Sequence, residues 1–371
     1  MDFDFSDEQE QLRDAVRKWV DKGYGFERRR AIVAAGGYDA AAYGELAELG
    51  LSGLCIDAHY GGLGLGPVEA MVVLEELGRG MVLEPLAAIW LAAHVLQAQA
   101  PAELQNAWLP RLADGQALAV LAHIERGGRY RLEHCRTQAH LDGGQWSISG
   151  HKSVVPVGDR VDAYIVPALA GQTLGLWLVE RQARGVQAQG YLTQDGGRAA
   201  EVQFEHSPAQ LVTLEGLEAL QRMADIGSAS VCAQAVGLME RTLALTVEYM
   251  NTRKQFGVPI ASFQALRHRV ADMKMQLELS RSMSYYASLK LGAPSPERRQ
   301  AIARARYQIG GAMRFIGQSA VQLHGGIGVT DEYIVSHCFK SLTQLEMTFG
   351  DTLHHLGEVS QRMQDTAGVF A

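Results

Sequence analysis

The spacing of apolar residues changes twice along this chain, near Leu118 and again after Leu214, and this change constrains the fold more than any other feature. Four segments before Leu118 are rich in Ala, Leu and Glu and are separated by Gly and Pro: 40–50, 67–79, 84–98 and 102–113. Such segments favour helices over strands. Ser6 followed by Gln9 resembles a capping box and predicts the start of the first helix.

Between Leu118 and Leu214 the pattern predicts short strands. Apolar and β-branched runs alternate there with Gly-rich turns, at 118–124, 135–140, 145–149, 163–168, 174–179 and 201–204. The segment Asp142-Gly143-Gly144 predicts a tight hairpin, because glycine readily adopts the positive φ that such turns need. We therefore expect a β domain of about a hundred residues, within the usual range for a domain.

Helical spacing returns after Leu214. One long apolar face is predicted there from Val231, Ala235, Leu238, Met239, Leu243, Val247 and Met250. Helices and strands are thus segregated, which predicts an α+β fold and not a doubly wound sheet. The expected domains are an N-terminal α-helical domain (1–114), a middle β domain (115–213) and a C-terminal α-helical domain (214–371).

Composition and charge exclude several classes of protein. The formal net charge is −7 and the basic residues are scattered, whereas a nucleic-acid surface needs clustered basic residues. No stretch approaches the roughly 20 apolar residues that span a bilayer, and the acidic N-terminus is unlike a signal peptide. The cysteines, Cys55, Cys135, Cys232 and Cys338, form no CxxC pair and predict buried thiols. We expect a cytoplasmic protein without a nucleic-acid partner.

Two segments carry enough glycine for the backbone to approach a ligand closely. In Tyr60–Gly66, followed by Pro67, the last glycine of a dinucleotide fingerprint is missing and no βαβ unit surrounds it, so a loop between helices is expected. In Gln322–Gly328, consecutive glycines could let the backbone approach a phosphate or an adenosine group. The alternative for this second segment is a structural turn.

A third motif follows the predicted long helix. Arg253 precedes Phe256 and Gly257, and Gln264 follows eleven positions after Arg253. Arg253 could simply complement the helix dipole, but its guanidinium also suits phosphate, which its planar fork binds at two points. Phe256 could pack near a cofactor or a subunit interface, or lie in an ordinary core.

Together with Phe349-Gly350-Asp351-Thr352, these motifs resemble the acyl-CoA dehydrogenase family over essentially the whole chain. The resemblance implies an N-terminal helical domain, a middle β-sandwich or barrel and a C-terminal four-helix bundle. It implies FAD at a subunit interface of a homo- or hetero-oligomer (dimer or tetramer), an acyl-CoA substrate, and an electron-transfer flavoprotein as electron acceptor. The residues that it assigns to FAD are Arg253, Phe256, Gln264, Gln322, Gly325, Gly326, Thr352 and His354.

The middle segment departs from the family pattern. Where the family has Thr-Glu-Pro and then Gly-Ser-Asp, this chain has Ile-Glu125-Arg-Gly-Gly-Arg-Tyr, and only Glu125 matches clearly. Ser149–Lys152 matches the family's Asn-Gly-x-Lys, but Val154–Pro156 replaces the Trp-Ile-Thr that follows it. Pro156 lacks an N–H that could bond a flavin nitrogen, so we expect weaker flavin binding or a different redox potential.

The glutamate that removes the substrate α-proton in this family is missing. One of its two places falls on Gly350, or on Phe349 if the gap is placed differently, and the other falls on Gly227. None of these residues can accept a proton. Since loss of a general base typically costs about 10²- to 10⁴-fold in rate, activity of this chain alone needs a substitute.

The nearest carboxylates are Asp351, Asp225 and Glu346. Asp351 is the candidate catalytic residue, although it could instead cap the following helix; Asp225 and Glu346 could be solvated helix charges.

Three hypotheses about function follow from the missing base. In one hypothesis Asp351 swings into the site and the chain works alone. In another, favoured by His354-His355, the chain resembles the base-poor small subunit of two-chain acyl-CoA dehydrogenases that act on dicarboxylyl or steroid side-chain thioesters. In a third hypothesis the chain is a flavin-poor, non-catalytic partner. A metal site is not expected, since His354 and His355 lack the spacing of zinc ligands.

Overall fold

The fold consists of two compact units that interleave along the sequence. A computed structural model describes residues 5–366 of the 371-residue chain. The first unit contains the described parts of Met1–Arg30, Pro67–Val82 and Ser228–Ala371. The second contains Ala31–Gly66 and Leu83–Gly227. The boundaries predicted for three domains, at 114/115 and 213/214, stay a prediction.

The helices precede and follow the strands, as predicted. In chain order the helices are α1 (Asp7–Gly23), α2 (Phe26–Ala34), α3 (Ala40–Glu48), α4 (Pro67–Arg79), α5 (Leu86–Gln99), α6 (Ala102–Ala113), α7 (Gly216–Thr252), α8 (Gln264–Lys290), α9 (Ser295–His324), α10 (Ile334–Met347) and α11 (Thr352–Thr366). The strands are β1 (Ala119–Leu121), β2 (Gln138–Asp142), β3 (Gln145–Pro156), β4 (Ala163–Ala170), β5 (Thr173–Glu180), β6 (Val186–Leu192), β7 (Arg198–Thr213), β8 (Lys254–Gln255) and β9 (Val258–Pro259).

Local signals predicted most of the helices correctly. The four segments between residues 40 and 113 are confirmed as α3 to α6. The capping box is confirmed as well, since Ser6 Oγ accepts the N–H of Gln9 and the Gln9 side chain accepts the N–H of Ser6. Helix α2 was not predicted, because its run of arginines interrupts the apolar spacing.

The strands of the second unit form a small closed barrel. Its ring runs β4-β2-β3-β7-β5 and closes by pairing of β5 with β4, while β1 pairs with β4 and β6 with β7. Asp142 pairs with Gln145 across Gly143 and Gly144, whose φ values are +54° and +80°. The predicted hairpin and the α+β fold class are therefore confirmed.

Several strand predictions need correction, and β3 and β7 extend well beyond the predicted 145–149 and 201–204. β6 was missed because it alternates exposed and half-buried residues and has no apolar run. β1 is shorter than the predicted 118–124. β2 begins at Gln138 and not at Cys135, because the N–H groups of Arg136 and Thr137 bond the Glu125 carboxylate.

The helical C-terminal region is confirmed. Helix α9 packs against α8, α10 and α11 within the first unit. The predicted apolar face of α7 is buried except at Val247, which is 38% exposed. All four cysteines are free, but Cys55 and Cys135 are half-buried and not fully buried as predicted. Within residues 5–366 we find no helix whose length and apolarity would let it span a bilayer.

Candidate functional site

Gly350, one of the positions at which the family resemblance predicts the missing glutamate, lies close to two imidazoles. Gly350 lies between α10 and α11 with φ +115°, a conformation that residues with a Cβ rarely adopt. A Cβ built there would lie 2.5 Å from Cδ2 of His354 and 2.7 Å from Nε2 of His355. A carboxylate therefore cannot occupy this position without movement of the backbone or of both imidazoles.

The buried guanidinium of Arg306 holds this turn in place. Its Nη2 donates to the carbonyl oxygens of Thr348 and Gly350 at 2.8 and 2.7 Å. The carbonyls of Leu345 and Glu346 lie 3.3 and 3.1 Å from the same nitrogen. Arg306 thus provides donors and positive charge for the carbonyls at the C-terminal end of α10.

Glu346 is buried, so the prediction of a solvated helix charge is wrong. Its side chain is 4% exposed, and its Oε1 accepts from the N–H and the hydroxyl of Thr352 at 2.9 and 2.6 Å. Arg314 Nη2 donates to the same oxygen at 2.8 Å. Glu346 therefore accepts the Thr352 N–H, which has no partner within α11, and its charge is paired with Arg314.

Asp351 acts as a helix cap in this structure. Its Oδ1 accepts the N–H of His354 at 2.7 Å, which is the non-catalytic alternative considered for this residue. His354 is half-buried, and burial lowers its pKa. His355 is buried, and burial together with the positive charge of Arg306 lowers its pKa to about 2, so it is neutral at working pH.

The second family position for the base, Gly227, lies within α7 and likewise has no side chain. The nearby Asp225 is 6% exposed, so its prediction as a solvated charge is also wrong. The residues at which the resemblance predicts a base, Gly350 or Phe349 and Gly227, therefore carry no carboxylate.

The FAD residues predicted around Arg253 lie on an exposed hairpin in the first unit. Strands β8 and β9 flank Phe256 and Gly257, and Gln264 begins α8. Phe256 is 92% exposed, so the alternative that it belongs to an ordinary core is wrong. The guanidinium of Arg253 makes no hydrogen bond or ion pair with any residue in 5–366.

The glycine turn after α9 lies beside the end of α7. The ring of His324 stacks on Tyr249 at 4.4 Å, and Tyr249 donates to the carbonyl of His324 at 3.3 Å. A Cβ at Gly325 or Gly326 would meet no atom within 4 Å, so the space beside this backbone is open. An unpaired guanidinium and bare backbone are groups that fit the phosphates of a dinucleotide.

A buried ion pair anchors the barrel of the second unit. Lys152 is fully buried and its Nζ donates to Glu125 Oε1 at 2.6 Å; that oxygen also accepts from the Thr137 hydroxyl at 2.7 Å. Burial raises the pKa of Glu125, but Lys152 and the hydrogen bonds outweigh burial and lower it to about 2. Glu125 is therefore an anion at working pH.

Strand β3 bulges where the family has Trp-Ile-Thr. The pairing with β7 shifts between Lys152 and Val155, and Val154 has φ +53°, which is strained for a β-branched residue. Beside the bulge, Glu201 accepts from the hydroxyls of Ser153 and Tyr191 at 2.9 and 3.1 Å. Glu201 was not predicted as a site residue, because its partners come from other strands.

This chain is similar to known acyl-CoA dehydrogenases over most of its length. A family model described as "Acyl-CoA dehydrogenase, C-terminal domain" matches residues 215–364, and one described as "Acyl-CoA dehydrogenase, N-terminal domain" matches residues 6–116. Acyl-CoA dehydrogenase IpdE2 of Mycobacterium tuberculosis is 33% identical over 337 residues, 90% of this chain and 90% of the relative.

Two further similarities are informative. Acryloyl-CoA reductase (NADH) of Anaerotignum propionicum is 26% identical, over 96% of this chain and 94% of the relative. Among solved structures, a chain of the ChsE4-ChsE5 complex from Mycobacterium tuberculosis matches with a TM-score of 0.90 and 25% identity, over 99% of this chain and all of that chain.

The substitution Gly350→Ala tests whether the turn excludes side chains. We expect it to lower the free energy of unfolding by about 2–4 kcal/mol, because φ +115° and contacts with both imidazoles oppose a Cβ. Gly357→Ala in α11 is the matched control, since a Cβ there meets nothing within 4 Å. Equal urea midpoints for the two variants would show that the turn has room for a side chain.

The ion pair of Glu125 and Lys152 predicts a specific acid sensitivity. The pKa of Glu125 falls from 4.5 to about 2 on folding. Its ionised carboxylate therefore contributes fully to the free energy of unfolding above about pH 4.5, and this contribution is lost as the pH falls towards 2. Glu125→Gln should be destabilised at pH 7, and its free energy of unfolding should fall less than that of the wild type between pH 5 and pH 3. Urea unfolding at pH 7, 5 and 3 measures the free energy of unfolding of the wild type and of the variant. An equal decrease in the two proteins between pH 5 and pH 3 would contradict the prediction.

Proposed function

Because the chain belongs to the acyl-CoA dehydrogenase family, we propose that it takes part in α,β-dehydrogenation of an acyl-CoA thioester without supplying the base. It is an FAD-dependent oxidoreductase. The observation that carries the proposal is Gly350, which has no side chain and has φ +115°, and at which a Cβ would lie 2.5 Å from His354 and 2.7 Å from His355. Gly227 at the other position provides no base either.

The reaction needs two groups to leave the substrate. The α-proton goes to a carboxylate while the thioester carbonyl is polarised, and the β-hydrogen leaves with its electron pair as the double bond forms. Bound FAD supplies the acceptor for that hydride. The role of this chain is to bind and orient, and the carboxylate comes from a second acyl-CoA dehydrogenase chain in a hetero-oligomer.

We assign FAD contacts to the surface of the first unit. Arg253 would pair with the pyrophosphate of FAD bound to a neighbouring subunit, and Gln264 and Phe256 would contact the same cofactor. The turn at Gln322, Gly325 and Gly326 would approach the cofactor through its backbone. This assignment is supported by the exposure of these residues and by the open space beside both glycines. Thr352 and His354 are assigned to FAD through their position at the start of α11.

The competing proposal, in which Asp351 is the base, has a cost. Its carboxylate would have to give up the cap of α11, and removal of a cap typically costs about 1 kcal/mol. The two-chain proposal avoids this cost, and the similarity to a chain of the ChsE4-ChsE5 complex supports it. An electron-transfer flavoprotein is the electron acceptor that we propose for the reduced cofactor.

Anaerobic flavin reduction tests the proposal. The purified chain with FAD is mixed with a panel of acyl-CoA thioesters, alone and together with an acyl-CoA dehydrogenase chain that has the glutamate before Gly-Thr. We expect the flavin to stay oxidised in the lone chain, or to bleach about 10²- to 10⁴-fold more slowly than in the mixture. Fast bleaching by the lone chain that Asp351→Asn abolishes would overturn the proposal and assign the base to Asp351.

A further inference from the structure

Two valines at the end of β3 have a backbone conformation that β-branched residues rarely adopt. Val154 has φ +53° and Val157 has φ +42°. A branched side chain is strained at positive φ, so such a conformation persists only where the surrounding contacts hold it. The contacts around Val154 therefore need a physical account.

Val154 lies in a β-bulge opposite a single carboxylate. Between the paired positions Lys152 and Val155, two residues of β3, Ser153 and Val154, lie opposite one residue of β7, Glu201. Bulges of this kind are common beside active sites, where they change the direction of a side chain. Here the side chain of Val154 is 39% exposed, whereas that of Val155 is 1% exposed.

The carboxylate of Glu201 joins the bulge to its neighbours. Its Oε2 accepts the hydroxyl of Ser153 at 2.9 Å, and its Oε1 accepts the hydroxyl of Tyr191 on β6 at 3.1 Å. Arg126 Nη2 donates to Oε2 at 3.2 Å, and His151 Nε2 lies 3.4 Å from the same oxygen. Because an ionised carboxylate only accepts hydrogen bonds, it can satisfy all of these donors at once.

The bulge itself helps to keep Glu201 ionised. Burial raises the pKa of Glu201, but hydrogen bonds from Ser153, Tyr191 and the backbone N–H of Val154 outweigh burial and lower it. Glu201 is therefore an anion at working pH. Its charge holds both residues of the bulge, one through a hydroxyl and the other through the backbone.

We propose that Glu201 is a positioning residue, whose carboxylate keeps the strained bulge of β3 in the conformation that meets the flavin of bound FAD. The inference rests on the proposed function, which supplies the FAD, and on the expectation that Val154–Pro156 lies beside the flavin. Strained backbone is typical of ligand sites in which the surrounding contacts determine it. Glu201 acts through Val154 and does not itself touch the cofactor.

Amide hydrogen exchange tests whether Glu201 holds the bulge. Exchange of residues 153–158 is measured in the purified wild type, in Glu201→Gln and in the control Glu205→Gln, which removes an exposed carboxylate from the same strand. The amide NH₂ of glutamine faces donors that need an acceptor, so we expect exchange about tenfold faster or more in Glu201→Gln. Glu205→Gln should stay within about twofold of the wild type. Equal exchange in the two variants would overturn the inference.

The redox potential of bound FAD tests whether the bulge positions the flavin. We expect a shift in Glu201→Gln and none in Glu205→Gln. The charge of Glu201 is separated from its positioning role in a Val154→Gly background, because glycine adopts φ +53° without strain and keeps the bulge without the carboxylate. Glu201→Gln should leave the potential unchanged in that background. The same shift there, or no shift in Glu201→Gln alone, would contradict the inference.

The remaining outcomes are also decisive. If Glu201→Gln does not fold, Val154→Gly should restore folding by removing the strain, and a failure of this rescue overturns the inference. A wild-type chain that binds no FAD overturns it as well, since the bulge then has no flavin to position. Failure of the proposed function is seen separately, as fast bleaching of the flavin by the lone wild-type chain with an acyl-CoA, because neither measurement above needs a substrate or a base.

Discussion

The hydrogen bonds from the guanidinium of Arg306 to the backbone after α10 are the interaction on which the C-terminal site depends. They draw the carbonyls of Thr348 and Gly350 towards one buried cation and so fix the path of the chain into α11. On that path two imidazoles lie within 3 Å of where a Cβ of residue 350 would be. The proposed lack of a base thus depends on the packing around Gly350 as well as on the glycine itself.

Two buried glutamates serve the same physical purpose in different units. Glu346 in the first unit and Glu125 in the second each accept backbone N–H groups and each contact a cationic side chain. Both carboxylates thus have their hydrogen bonds satisfied within the chain, and in Glu125 these contacts also lower the pKa. Such groups stabilise loops and helix ends. They are poor candidates for removing a proton from a substrate.

Features encoded within a few residues were predictable from the sequence. The capping box at Ser6, the hairpin at Gly143 and the order of helices and strands all depend on neighbours along the chain, and they are confirmed. The interaction of Arg306 with residues about forty positions later has no local signal, so it could not be predicted. Burial of Glu346 was missed for the same reason, because Arg314 comes from another helix.

The most direct test of the central claim is exchange of the substrate α-protons with solvent. An acyl-CoA is incubated in D₂O with the FAD-loaded lone chain, and loss of the α-proton signal is followed by NMR. We expect exchange no faster than in buffer, because a base is needed to remove that proton and Gly350 provides none. Rapid exchange by the lone chain that disappears in Asp351→Asn would contradict it, and would show that the cap of α11 opens to provide a base.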